Sequence, residues 1–319
     1  MNAPSSNSRT HRPAPESVLL REPLAPAWAM QWAGGNVAPT RLSQDGVNLT
    51  MTHGDEALLI SAVVPNASQL GVDDFQACVR SVYLQIYQLI NASRYAQPWR
   101  FWNFVPGILN QETDGLLRYM VFNAGRHQAM LTRHGAREFA SAMVAASAVE
   151  APQDDLVVHL LAGVEPGRPV ENPRQIPAFH YSPRYGPLPP CFARATQVTC
   201  QGRSHLLISG TASIVGEDTT HLQQIEAQCH EVIANFTSLI QEAAQSSSAS
   251  RPSANEPEAD ILAALRDLRI YLPDMAHRGL VESILLAHCS GLEYIEVLPA
   301  RLCRPELEVE IEARATLSV

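Results

Sequence analysis

The apolar positions along the chain fall into two matching series. Residues 57–61 (ALLIS) and 205–209 (HLLIS) are apolar runs of strand length. Each leads into a segment with helical period, DFQACVRSVYLQIYQLINAS at 74–93 and QIEAQCHEVIANFTSLIQEA at 224–243. Aligning Ser61 with Ser209, Ala77 with Ala227 and Leu89-Ile90 with Leu239-Ile240 keeps the two series in step. Strand-like runs follow (RFWNFVP, 100–106; LRIYLP, 268–273), then second helical segments at 116–131 and 277–289. Closing strands complete each copy, DDLVVHLLAG at 154–163 and PELEVEIEAR at 305–314. The spacing drifts in the second copy because it has gained SSSASRPSANEPEAD, a stretch whose composition predicts a flexible loop.

A repeat of strand, helix, strand, helix, strand, with one more strand in each opening hairpin, predicts an α+β architecture of two lobes. Each would be a mixed β-sheet covered by two helices. The boundaries that follow are a tail and lead-in at 1–54, a first lobe at 55–165, a connector at 166–204 and a second lobe at 205–319. Aligning Leu156 with Leu307 sets His159 opposite Glu310. Strand alternation places Glu308, Glu310 and Glu312 on one face, where the first copy has Val157, His159 and Leu161. A solvated outer face is the ordinary account of three such carboxylates. The contrast between an apolar copy and an acidic one instead marks the second copy as specialised.

Composition narrows the function classes. A chain of 319 residues, 46% hydrophobic, can bury a sizeable core, and its net charge of −9 argues against a general binder of nucleic acid or anionic membrane. No run approaches the ~20 apolar residues of a membrane helix. The start, MNAPSSNSRTHRPAPESVLL, lacks an apolar secretory segment and reads as a disordered tail, so a cytoplasmic protein is expected. Cysteines 78, 191, 200, 229, 289 and 303 form no CxxC pair, and no HxH or HExxH occurs, so neither a metal site nor a disulfide framework is expected. All 23 basic residues are Arg. The absence of Lys excludes Schiff-base chemistry and a Walker-type phosphate loop, and leaves arginine forks to hold any anionic ligand.

Against that background the stretch FHYSPRYGPLPPCFARAT (179–196) stands out. Prolines 183, 187, 189 and 190 fix the backbone that carries Tyr181, Arg184, Tyr185 and Arg194. Rigid backbone, aromatic walls and two guanidinium groups suit a pocket for a cyclic carboxylate better than a hinge. Arg126 lies in a second helical segment, where solvation is the ordinary role of a lone Arg. In SGTASIVGEDTTH (209–221), Gly210 permits close backbone approach, and Thr211 and Ser213 offer hydroxyls beside Ala212. As a phosphate loop this stretch lacks a basic residue. Cys303 precedes the acidic strand without a recognisable partner pattern for nucleophilic catalysis, so burial is its expected role.

Two segments resemble the YjgF/RidA superfamily: the helix EAQCHEVIANFTSLIQ and the terminal strand LEVEIEA. That superfamily's deaminases hold the substrate carboxylate with an Arg just before the next-to-last strand, which SGLEYIEV (290–297) lacks. The whole length resembles the chorismatases, enzymes built on a doubled fold of this kind, through RYAQPWRFWNFVPGI, VFNAGRHQAM, FHYSPRYGPLPPCFARAT and SGTASIVGEDTTH. The resemblance implies a ligand between the lobes, its two carboxylates clamped by Arg126, Arg184 and Arg194. It also implies Tyr181 and Tyr185 flanking the ring, and Gly210, Thr211, Ala212 and Ser213 lining the other side. Glu310 would be the general acid that protonates the enolpyruvyl methylene, with Ala212 and Cys303 bearing on the product formed. No metal or cofactor is implied, and the small molecule chorismate is the implied partner, on a monomer or homotrimer. The expected products are pyruvate and 3-hydroxybenzoate, with 4-hydroxybenzoate or a dihydrodiol as alternatives. A RidA-type imine hydrolase and a non-catalytic carboxylate sensor are the competing functions.

Overall fold

The computed structural model describes residues 25–35, 37–113, 115–245 and 258–317. The N-terminal stretch 1–24 and most of the insertion, 246–257, lie outside the described residues. The last three residues of the insertion, expected as loop, instead start a short helix.

The chain opens on helix α1 (Ala27–Trp32) and the strands β1 (Thr40–Gln44), β2 (Val47–His53) and β3 (Ala57–Val64). Helix α2 (Val72–Asn91), β4 (Gln97–Val105), helix α3 (Arg118–Glu138), β5 (Ala145–Glu150) and β6 (Leu156–Gly163) follow. These six strands form one sheet in the order β1-β2-β3-β6-β4-β5, parallel only at β4–β5. The second half contributes β7 (Arg168–Val170), β8 (Ala195–Cys200), β9 (Arg203–Thr211) and the small hairpin β10 (Ile214–Val215) with β11 (Asp218–Thr219). Then come α4 (Ile225–Gln245), α5 (Glu258–Leu262), β12 (Leu265–Leu272), α6 (Arg278–His288), β13 (Tyr294–Pro299) and β14 (Glu310–Leu317). The second sheet runs β13-β12-β14-β9-β8-β7, the order of the first read from the other end, and is parallel only at β12–β13. The chain is therefore a doubled α+β unit with two mixed sheets, each carrying two long helices.

Apolar spacing accounts for the elements. In α2 the buried positions Phe75, Val79, Val82, Tyr83, Ile86, Tyr87 and Ile90 recur every three or four residues and form one stripe against the first sheet. β6 sits in mid-sheet and is buried on both faces, which is why LVVHLLAG contains a single polar side chain. Helices α4 and α6 cover the second sheet in the same way, through Val232, Phe236, Leu239, Val281 and Leu285. The opposite faces of the two sheets meet in a third cluster that includes Trp99, Trp102, Leu161, Leu207, Tyr271 and Leu307.

Several expectations shift. Residues 40–53, assigned to the lead-in, pair into the first sheet, and both ends of the connector pair into the second as β7 and β8. Each unit thus has six strands. The closing-strand alignment also moves. Leu160 pairs with Ile60 and Phe101, whereas Ala313 pairs with Ile208 and Leu268, so Leu160 and Ala313 are equivalent and His159 corresponds to Glu312, not Glu310. A bulge in the pairing with β9 sets Ser209 and Gly210 opposite Glu312, while the register of β14 against β12 is continuous from Glu310 to Ala313. The slip follows because the last strand begins only at Glu310, so Leu307, aligned with Leu156, lies in the loop before it. Among the described residues no helix is long and apolar enough to cross a membrane.

Candidate active site

A cavity of about 210 Å³ lies where α3, β5, the connector, β9 and the start of β14 converge. Its walls come from both lobes: Tyr119, Arg126 and Ser147 from the first, and Gly210, Cys303, Arg304 and Glu310 from the second. The connector supplies Tyr181, Tyr185, Phe192 and Arg194.

Glu310 opens β14 with 4% of its surface exposed, and among the described residues no donor reaches its carboxyl oxygens. Burial, with the neighbouring Glu312 carboxylate adding to it and Arg100 opposing, pushes its pKa up to about 8. A carboxyl group in this state is an acid that can give up a proton at neutral pH. Gly210 lies directly against it. A Cβ at that position would stand 2.0 Å from Glu310 Oε1 and 3.2 Å from Ser147 Oγ.

Three arginines line the cavity with no carboxylate at ion-pair distance among the described residues: Arg126, Arg194, whose charge is felt by the Glu171 carboxyl nearby, and Arg304. Arg126 is 2% exposed, and its Nε and Nη2 have no hydrogen-bond partner. It lies 5.4 Å from the Tyr83 ring and 5.8 Å from that of Phe101, which hold the charge by cation–π attraction. Arg194 donates through Nη2 to Tyr181 Oη at 2.7 Å and to the Ile176 carbonyl at 2.9 Å, and its Nε is unpartnered. Arg304 stacks 3.9 Å above the Tyr185 ring and is held by the Tyr185 hydroxyl, the Glu217 carbonyl and Thr219 Oγ1. A buried guanidinium without a close counter-charge is costly, which suits these arginines to an anionic ligand.

The remaining expected site residues divide. Tyr181, Tyr185, Ala212 and Cys303 line the cavity. Burial pushes the Cys303 thiol up to about 12, with the Glu310 carboxyl nearby adding to the effect. Arg184 is at the mouth, its side chain over half exposed and already paired with Asp218 and Glu217. Thr211 and Ser213 turn away: Thr211 Oγ1 donates to the Ser209 carbonyl at 2.9 Å, and Ser213 Oγ to the Thr220 carbonyl at 3.0 Å. Glu308 stays outside the closing strand. Arg304, Tyr119 and Ser147 are the wall residues that the sequence reading missed. Arg304 sits beside Cys303 in RLCRPELEVE and could have been found by extending the arginine argument there. AASAVE, which carries Ser147, holds no such signal.

The arrangement can bind a dianion and protonate it. Residues 32–162 match the family described as chorismatase FkbO/Hyg5-like, N-terminal. The chain is 29% identical over 299 residues to a 3-hydroxybenzoate synthase of Streptomyces hygroscopicus, covering 91% of this chain and 81% of that protein. A chorismatase of Streptomyces rapamycinicus is 31% identical over 274 residues, covering 85% of this chain and 77% of the relative. Among solved structures, a chorismatase crystal structure superposes with a TM-score of 0.72 at 26% identity, over 87% of this chain and 80% of that one.

Proposed function

The chain belongs to the chorismatase family, and from that footing we propose that it cleaves chorismate to pyruvate and 3-hydroxybenzoate. The observation that carries the reading is the placement of one uncompensated buried acid, Glu310, in a cavity with three arginines that have no carboxylate at ion-pair distance among the described residues.

Chorismate presents two carboxylates, a polar ring and an enol ether whose terminal methylene is the basic carbon. Arg126, Arg194 and Arg304 are suited to the carboxylates by charge and fork geometry. Arg184, already neutralised by Asp218 and Glu217, fits a role at the mouth. Tyr181, Tyr185 and Phe192 supply ring-sized apolar walls. Glu310, protonated, delivers its proton to the methylene and leaves an oxocarbenium-like centre. The dianion raises the affinity of Glu310 for its proton until the moment of transfer, so the acid is loaded when substrate is bound. In the hydroxybenzoate branch the bond between the ring carbon and the ether oxygen breaks, so that oxygen becomes the carbonyl oxygen of pyruvate. The neighbouring ring hydroxyl oxygen migrates to the carbon left electron-poor, and the ring proton lost on aromatisation restores the acid. That cycle needs no water and no oxidant. In the dihydrodiol branch, water adds to the cation instead.

Light scattering of the purified protein distinguishes a monomer from a homotrimer. Incubation with chorismate, enzymatic detection of pyruvate and chromatography of the aromatic product test the reading. Pyruvate with 3-hydroxybenzoate is expected. Imine turnover without chorismate turnover would replace the reading with the RidA-type one, and binding without turnover with the sensor.

A further inference from the structure

Two carboxylates stand two residues apart on β14 in opposite environments. Glu312 is 3% exposed and accepts three hydrogen bonds, all from the first lobe. Its Oε1 takes the Trp102 indole N–H at 2.8 Å, and its Oε2 takes Arg100 Nη2 at 2.9 Å and the Ser147 hydroxyl. Glu310, buried to the same degree, accepts none among the described residues. Ser147 separates the two. Its hydroxyl has one proton, which goes to Glu312, while Arg100 Nη2 at 2.7 Å and the Gly210 N–H at 3.0 Å donate to its oxygen. Ser147 therefore has no proton to offer Glu310, although a methyl group at Gly210 would touch both.

We propose that Glu312, held as the anion by Arg100, Trp102 and Ser147, is the positioning residue that keeps the proton of the pair on Glu310. Three donors stabilise negative charge on Glu312, and that fixed charge disfavours a second anion on Glu310. Placing the donors on β4 and β5 makes the acid competent only when the two lobes are packed together. The other titratable groups around Glu310 do not compete. Tyr119 on α3 and Tyr271, paired across β12, are both held neutral by burial, as is Cys303 in the loop before β14. The cations around the pair are Arg100, bound to Glu312; Arg269 on β12, opposite Glu312 in register and paired with Glu296; and Arg126, Arg194 and Arg304, which line the cavity.

The proposal deepens the functional reading and rests on it for its catalytic meaning, but its test needs no substrate. Infrared titration of the unliganded protein, with Glu310→Gln as the subtracted reference, reads the protonation of Glu310 directly. In Glu312→Gln the midpoint is expected to fall by about one pH unit or more, as removal of an adjacent buried charge requires. Trp102→Phe keeps an aromatic ring in the lobe interface and removes one donor to Glu312, so the Glu310 acid signal at neutral pH is expected to weaken. The alkaline limb of kcat/KM for chorismate is expected to move with the midpoint in Glu312→Gln. If that variant does not fold, Trp102→Phe decides. An unchanged Glu310 titration in the folded variants overturns the proposal while leaving chorismate cleavage intact. Failure of chorismate turnover with a shifted titration overturns the functional reading alone.

Discussion

Gly210 and Glu310 are packed so that a methyl group on the glycine would stand 2.0 Å from the carboxyl oxygen Oε1. Backbone on one strand thus sets where the acid can point. Gly210→Ala is expected to turn the carboxyl away from the cavity and to lower kcat by about 100-fold, the usual cost of a misplaced catalytic group. Steady-state kinetics beside thermal denaturation check this. A large loss of stability with normal kcat would count against the assigned contact.

Glu310→Gln keeps shape and removes the proton. It is expected to retain chorismate binding by calorimetry while pyruvate release falls by ~10²–10⁴-fold. A normal rate in this variant sinks the acid assignment.

The raised pKa of Glu310, about 8, fixes the sign of two pH effects. The acid must be protonated to act, so kcat/KM is expected to hold at neutral pH and fall as pH rises through about 8. The same group binds its proton more tightly folded than unfolded. Its contribution to stability is therefore fully present below the ordinary carboxylate range and lost as pH rises through about 8. Chemical denaturation of wild type and Glu310→Gln across that range checks it, since the variant should lose this part of the pH dependence.

Arginine substitutions should separate by partner. Arg126→Ala or Arg304→Ala removes a charge that faces the cavity without a carboxylate of its own, and KM should rise about 10- to 100-fold, in keeping with a charge-assisted hydrogen bond. Arg184→Ala removes an exposed, already paired group and should change KM by no more than about threefold. Equal effects at all three positions would return Arg184 to the clamp.

Cys303 lines the cavity, yet its thiol is pushed up to about 12, so the thiolate is scarce at neutral pH. Iodoacetamide at neutral pH is expected to leave activity unchanged over the time in which it consumes an ordinary thiol. Mass spectrometry of the Cys303 peptide reports the extent of reaction.

The doubled α+β architecture was legible because apolar period survives divergence: the stripe of α2 and the unbroken run of β6 are written directly in the residues. Arg194 stood out because it lies in a proline- and aromatic-rich stretch, and Glu310 through the resemblance of its strand to the family's terminal strand. What could not be read was register. A late-starting strand moved His159 from Glu310 to Glu312, because alternation carries no record of where pairing starts. The hydroxyls of Thr211 and Ser213 looked available in sequence, but local backbone carbonyls capture both. Ser147 had no signal at all, since its part in the site depends on a strand of the other lobe brought beside it only by folding.

The placement of Arg100 bears on how a ligand reaches the cavity. Its guanidinium spans the two lobes, donating to the Ile208 carbonyl and to Glu312 from a site 1% exposed. Swinging the lobes apart would break that buried pair and expose the apolar cluster of Trp99, Trp102, Leu161 and Leu207 between the sheets to water. The connector near Tyr185 is tied at the mouth mainly by polar contacts, from Ser182 to Glu217 and from Arg184 to Asp218. Lifting that segment exchanges those contacts for water at little net cost. By this reckoning, moving the connector at the mouth costs less than parting the two halves of the molecule.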